Sequence, residues 1–84
     1  MNTVFLLMAE FNTPTIPLSQ IAERYLGMTI ATANKKASSG ELAIPSFRLD
    51  AGQKAPRIVH IQDLADYIDK QREIARKEFK DVHG

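Results

Sequence analysis

Two glycines, Gly27 and Gly40, each close a short amphipathic stretch, and Thr29 stands between them. No other feature restricts the fold as strongly. The first stretch opens after Pro17, whose missing N–H would be unpaired at a helix start in any case. Leu18, Ile21, Ala22 and Tyr25 then recur at spacings of three and four, which predicts a helix with one apolar stripe ending near Leu26. Gly27 is suited to stop it, because a residue without Cβ enters the left-handed region at little cost. Thr29 is placed to cap a second helix by accepting from a free backbone N–H two or three residues on. Gly40 then ends that helix as Gly27 ends the first. The region from Ile16 to Leu42 therefore reads as a helix-turn-helix.

At roughly 100° per residue, Ile30, Ala33 and Ala37 share the inner side of the second helix. Ala31, Thr32, Lys35, Ser38 and Ser39 fall on the outer side, with Asn34 and Lys36 at its borders and Thr29 at its start. Short hydrogen-bonding groups and two lysines, with no acid before Glu41, suit insertion into a major groove. A solvated helix face collects the same residue types, so this pattern alone leaves both readings open.

The chain has 84 residues, enough for one small domain, and domains of this size often need a staple or a partner. It contains no cysteine, so neither a disulfide nor a thiolate metal site can serve, and self-association is the remaining candidate. No apolar run approaches the roughly 18 residues of a membrane span, and the N-terminus lacks a secretory signal pattern. The protein is expected in the cytoplasm, associated with the nucleoid and not with a membrane.

The net charge is only +1, but its distribution is uneven. From Arg24 to His60, six cations (Arg24, Lys35, Lys36, Arg48, Lys54, Arg57) face two acids (Glu41, Asp50), a local charge of +4. The flanking parts are slightly acidic. Positive charge gathered around the helix-turn-helix is a modest electrostatic footprint for nucleic acid.

Before this region, Thr3 to Phe11 is the most apolar segment. Val4, Leu7, Met8 and Phe11 form a helical stripe with Phe5 and Leu6 beside it, so the predicted helix is apolar around most of its girth, a strand being the alternative for so short an apolar run. Asn2 or Thr3 can cap it, and 12–14 would end it. Thr15 and Ile16 are extended and can add a short strand. After Gly40, residues 43–49 alternate as a strand, with Ile44, Ser46 and Arg48 on one parity and Pro45, Phe47 and Leu49 on the other. A turn over 50–56 and a second strand over 57–61 complete a hairpin wing, with Gln53, Lys54 and Arg57 at its tip. Arg48, Lys54 and Arg57 would hold phosphates, which positions a protein on DNA without reading sequence.

A long helix is predicted from Gln62 to about Lys80, with 81–84 frayed. Its turns beyond Ile68 exceed what a wing needs for closure. Val4, Phe5, Leu6, Met8, Ile74 and Phe79 are thus candidate oligomerisation residues, the alternative being packing of Ile74 and Phe79 on Phe5 and Leu6 within one chain. The whole reads as one domain, 1–84, divided into an apolar segment (1–14), a helix-turn-helix with wing (15–61) and a C-terminal helix and tail (62–84). The expected fold class is mainly α with a small β-hairpin wing.

Catalytic chemistry finds no support. His60 lies in a strand without an acid at ligand spacing, and His83 is near the chain end, so no metal site is expected. No Ser, His and Asp set suggests a triad, and the glycines are too dispersed for a phosphate loop. No enzyme activity and no cofactor are expected.

The order of helix, helix and wing, with the junction LGMT before the second helix and SSGEL after it, resembles the winged helix-turn-helix of excisionase and MerR-type DNA-binding domains over about Ile16 to Ile68. The opening MNTVFLLMAEF followed by IPLSQIAERYLG resembles the pyocin activator protein family over nearly the whole chain. That resemblance implies a bacterial transcription activator that binds repeated promoter elements and switches on phage-tail-like bacteriocin genes after DNA damage. One departure is Lys36, where the broader excisionase pattern often has an aromatic that packs the second helix. The expected partners are double-stranded promoter DNA, further copies of the chain and RNA polymerase. Two other roles fit the same fold: an adaptor or anti-repressor that holds a protein, and an excisionase-like architectural protein that bends DNA.

Overall fold

The computed structural model describes residues 2–50 and 55–83. The first helix, α1, spans Thr3–Phe11, because Asn2 accepts the Phe5 N–H at 3.0 Å and Asn12 breaks the helix in the left-handed region at φ 54°. Asparagine tolerates that region better than most residues. The chain continues as β1 (Thr15–Pro17), α2 (Leu18–Tyr25), α3 (Ile30–Ser39), β2 (Ile58–His60) and α4 (Ile61–His83). The architecture is mainly α with a small β wing, as the sequence predicts.

The punctuation between α2 and α3 follows the local chemistry. Gly27 and Gly40 adopt φ of 66° and 78°. Thr29 accepts the Thr32 N–H at 3.3 Å, which satisfies one of the free donors at the start of α3. At the other end the Glu41 and Leu42 N–H groups return to the Lys36 carbonyl, so the α3 terminus is closed by backbone.

The sheet differs from the predicted hairpin. Its regular pair is β1 with β2, antiparallel, with Thr15 opposite His60, Ile16 opposite Val59 and Pro17 opposite Ile58. The Leu18 N–H to Arg57 carbonyl bond (2.9 Å) and the Ile61 N–H to Pro14 carbonyl bond (2.8 Å) extend this pairing at both ends. The strand expected over 43–49 is reduced to one bridge, in which Phe47 and Ile58 exchange backbone bonds of 2.9 and 2.8 Å. Two causes are visible. Pro45 has no N–H to offer a ladder, and β2 is only three residues long before it runs into α4.

Ile16, Leu18, Ile21, Val59 and Leu64 are fully buried and form the centre of the core, with Leu7, Ala22, Ala33, Ile44, Ile61 and Ala65 around them. Each such Leu, Ile or Val contributes about 1.5–3 kcal/mol on leaving water. Ile30, expected inside, is 37% exposed: as the first residue of α3 it lies over the turn, and Ala33 makes the tight contact instead.

Thr3 donates from Oγ1 to Asp69 at 2.5 Å, while Pro14 sits beside Ile61, so α1 lies antiparallel to the first half of α4. Beyond Asp69 every described residue of α4 is exposed. The helix runs through His83 and does not fray at 81; the Phe79 and His83 rings stack one turn apart, with centroids at 4.2 Å. About 14 residues, or roughly 21 Å of helix, thus project past α1. Among the described residues no helix is long and apolar enough to cross a membrane.

Candidate nucleic-acid interface

The outer side of α3 is exposed as its periodicity predicts, with Ala31, Thr32, Asn34, Lys35, Ser38 and Ser39 in solvent and Lys36 half-buried. Several of its polar groups are engaged locally. Thr29 donates to the Thr32 hydroxyl at 3.1 Å as part of the cap, and Ser39 donates to the Lys36 carbonyl at 3.1 Å. Ser38 accepts from Arg57. Asn34 and Lys35 are left side by side in the middle of the helix, without a side-chain hydrogen bond or ion pair among the described residues. An amide can pair with the edge of adenine, and an ammonium with guanine or phosphate.

Arg57 is placed differently from its expected role at the wing tip. It is half-buried, and its guanidinium lies between α3 and the wing, with Nη2 donating to Ser38 at 3.4 Å and Nη1 to Ser46 at 3.5 Å. Its Nε is buried with no acceptor among the described residues. Its own carbonyl accepts the Leu18 N–H, so one residue touches the start of α2, the end of α3 and the wing. Sequence reasoning misses Ser46 as a member of this group, although it shares parity with core-facing Ile44, a signal that it turns toward α3.

Arg48 is half-buried as well and donates from Nε to the Ala55 carbonyl at 2.9 Å, which holds the two arms of the wing together. Gln53 and Lys54 lie outside the described residues. Arg24 belongs to another face. It is ion-paired with Glu10 of α1 and lies 5.8 Å from the Phe11 ring and 5.0 Å from the Tyr25 ring. The positive charge counted between 24 and 60 is therefore divided between two sides of the molecule. Burial pushes the Tyr25 hydroxyl above its ordinary value, Glu10 adds to the rise, and Arg24 opposes it.

His60 plays a structural part, since its Nδ1 accepts the Gln62 N–H at 3.0 Å and caps α4. No group of three or more metal-ligating side chains occurs among the described residues. Of the candidate oligomerisation residues, Val4 packs partly against the core, whereas Phe5, Leu6, Met8, Ile74 and Phe79 are exposed. Ile74 and Phe79 thus are not buried on Phe5 and Leu6 within one chain.

The model of a family described as Pyocin activator protein PrtN matches residues 3–75, from the start of α1 well into α4. No curated protein and no solved structure matches.

Proposed function

The chain belongs to the pyocin activator protein family, and on that premise we propose that it is a sequence-specific DNA-binding activator of phage-tail-like bacteriocin genes. The reading takes the fold as a winged helix-turn-helix in which α3 enters the major groove of promoter DNA and the wing lies on the flanking backbone. The observation that carries it is the contrast across α3. Ala33 is sealed in the core, while Lys35 projects from the opposite side and Asn34 from the border of that side, both exposed with no side-chain partner among the described residues. Asn34 is the base-reading candidate, and Lys35 meets a base edge or a phosphate. Lys36, at the border of that face, and Arg48 serve the backbone, and Arg57 holds the reading helix in place. In this reading the protein acts by binding and not by catalysis, and RNA polymerase is its further partner.

Titration of the full chain on fluorescent promoter fragments at several salt concentrations tests this. A DNA-binding protein loses affinity steeply with salt, with a log–log slope of about −0.9 for each phosphate neutralised. Binding that is indifferent to salt and to Lys35→Ala would refute the proposal and favour an adaptor. Strong bending of the fragment without activation of a reporter would favour the architectural role.

A further inference from the structure

The apolar seam of α4 continues where the domain ends. Ile61, Ala65 and Ile68 recur at alternating spacings of four and three on the side packed toward the core. The same alternation runs on through Arg72 to Ala75, Phe79 and Val82, in the half of the helix that α1 does not reach. Phe79 is 62% and Val82 78% exposed, with exposed Ile74 beside them. Such a repeat is the pattern of a helix that meets another helix along its length. A second uncovered surface lies on α1, where Phe5, Leu6 and Met8 are about half exposed. No unpaired charge interrupts it, since the single acid of α1, Glu10, is engaged by Arg24.

We infer that these two surfaces meet between copies: the projecting half of α4 docks on α1 of a second chain, and the second chain returns the same contact about a two-fold axis. The dimensions agree, because about 21 Å of projecting helix covers the roughly 14 Å of a nine-residue α1. The area agrees too. Phe5, Leu6, Met8, Ile74, Phe79 and Val82 together expose on the order of 700 Å², close to the ~800 Å² per partner of a standard stable interface. Both complementary surfaces belong to one chain, so a single isologous interface covers both at once. Surfaces that are apolar apart from Arg72 are more typical of lasting homodimers than of transient encounters. Pairing of α4 with α4 in parallel register is disfavoured, because it would bring two Arg72 side chains together in the seam. None of the six residues lies on α3 or the wing, so the dimer stands or falls apart from the DNA-binding reading.

Sedimentation equilibrium of the full chain decides the first part. The expected mass is twice 9.4 kDa at micromolar concentration. The double variant Phe79→Lys, Val82→Lys should sediment as a monomer with its helical circular dichroism intact, since both residues are outside the core and lysine suits a helix C-terminus. A wild-type chain of monomer mass, or a charged variant that remains dimeric, overturns the inference. The pairing is tested by introducing Leu6→Cys and Phe79→Cys together into this cysteine-free chain. Mild oxidation should give covalent dimers with the pair and not with either single variant. Efficient cross-linking by Phe79→Cys alone would overturn docking on α1.

Discussion

Arg57 donates from Nη2 to the Ser38 hydroxyl at 3.4 Å, and this contact ties the last turn of α3 to the residue that leads into β2. The bond is long, and its neighbour to Ser46 at 3.5 Å is longer, so neither alone contributes much. Together they set the orientation of α3 relative to the wing. Arg57→Ala is therefore expected to lower the preference for specific over random DNA by about fivefold to tenfold, about 1–1.4 kcal/mol. The salt slope should stay unchanged, because no phosphate contact is lost. A slope that falls by about one would assign Arg57 to phosphate instead. Ser38→Ala, which removes one of the two acceptors, should give a smaller effect in the same direction.

Asn34 and Lys35 lie next to each other on α3 and differ in chemistry, so their removal should read out differently. Lys35→Ala is expected to weaken binding to all sequences and to reduce the salt slope if the ammonium meets phosphate. Asn34→Ala should relax the preference at one base pair by about 1–3 kcal/mol with little change in slope. Competition of the two variants against a panel of singly altered promoter sites would separate these outcomes. Equal loss across the panel for both variants would remove Asn34 as a reader.

The elements with local causes are legible in the sequence. Asn2, Thr29, Gly27 and Gly40 act within one turn of themselves, and all four have the predicted effect. The buried stripe of α2 follows equally directly from the spacing of Leu18, Ile21 and Ala22. The wing is not legible to the same degree, because alternation over 43–49 says nothing about the length of the partner strand. β2 ends at His60, where the side chain caps α4, so Phe47 finds only Ile58 to pair with. Sequence position groups Arg24 and Arg57 in one patch, yet α1 claims one and Ser38 with Ser46 the other. Those assignments depend on residues at long separation, which periodicity does not encode.

Tyr25 supplies a test of the seam between α1 and α2. Burial and then Glu10 raise its hydroxyl pKa above 10.0, with Arg24 acting in the opposite sense. A folded-state value above the unfolded one means that the unfolded chain ionises first. The stability from this group is thus complete below about pH 10 and is lost as pH rises from there through the folded value. In a Tyr67→Phe background, phenolate absorbance should titrate above the ordinary tyrosine range. Adding Glu10→Gln should move the midpoint down, since it removes a raising charge and frees Arg24. A midpoint that does not move would mean that Glu10 lies further from Tyr25 than the fold implies.

The two ends of α3 give the sharpest stability test, because each depends on one residue with a known cause. Thr29→Ala removes the acceptor of the Thr32 N–H and should cost about 1 kcal/mol, the usual loss for such a cap. Gly40→Ala meets no atom within 4 Å, so its cost is not a clash; it is the strain of a Cβ at φ +78°, about 1–2 kcal/mol. Gly40→Asn should recover part of that loss, since asparagine tolerates the left-handed region. The sites are separated by a helix of ten residues, about 15 Å, and share no partner, so their effects should add in the double variant. For a chain of this size each kcal/mol lowers Tm by roughly 4–8 °C, well within the reach of a thermal melt. If the double variant loses clearly less than the two single variants combined, α3 is already detaching in the first mutant, and the helix is held to the core by little beyond Ala33.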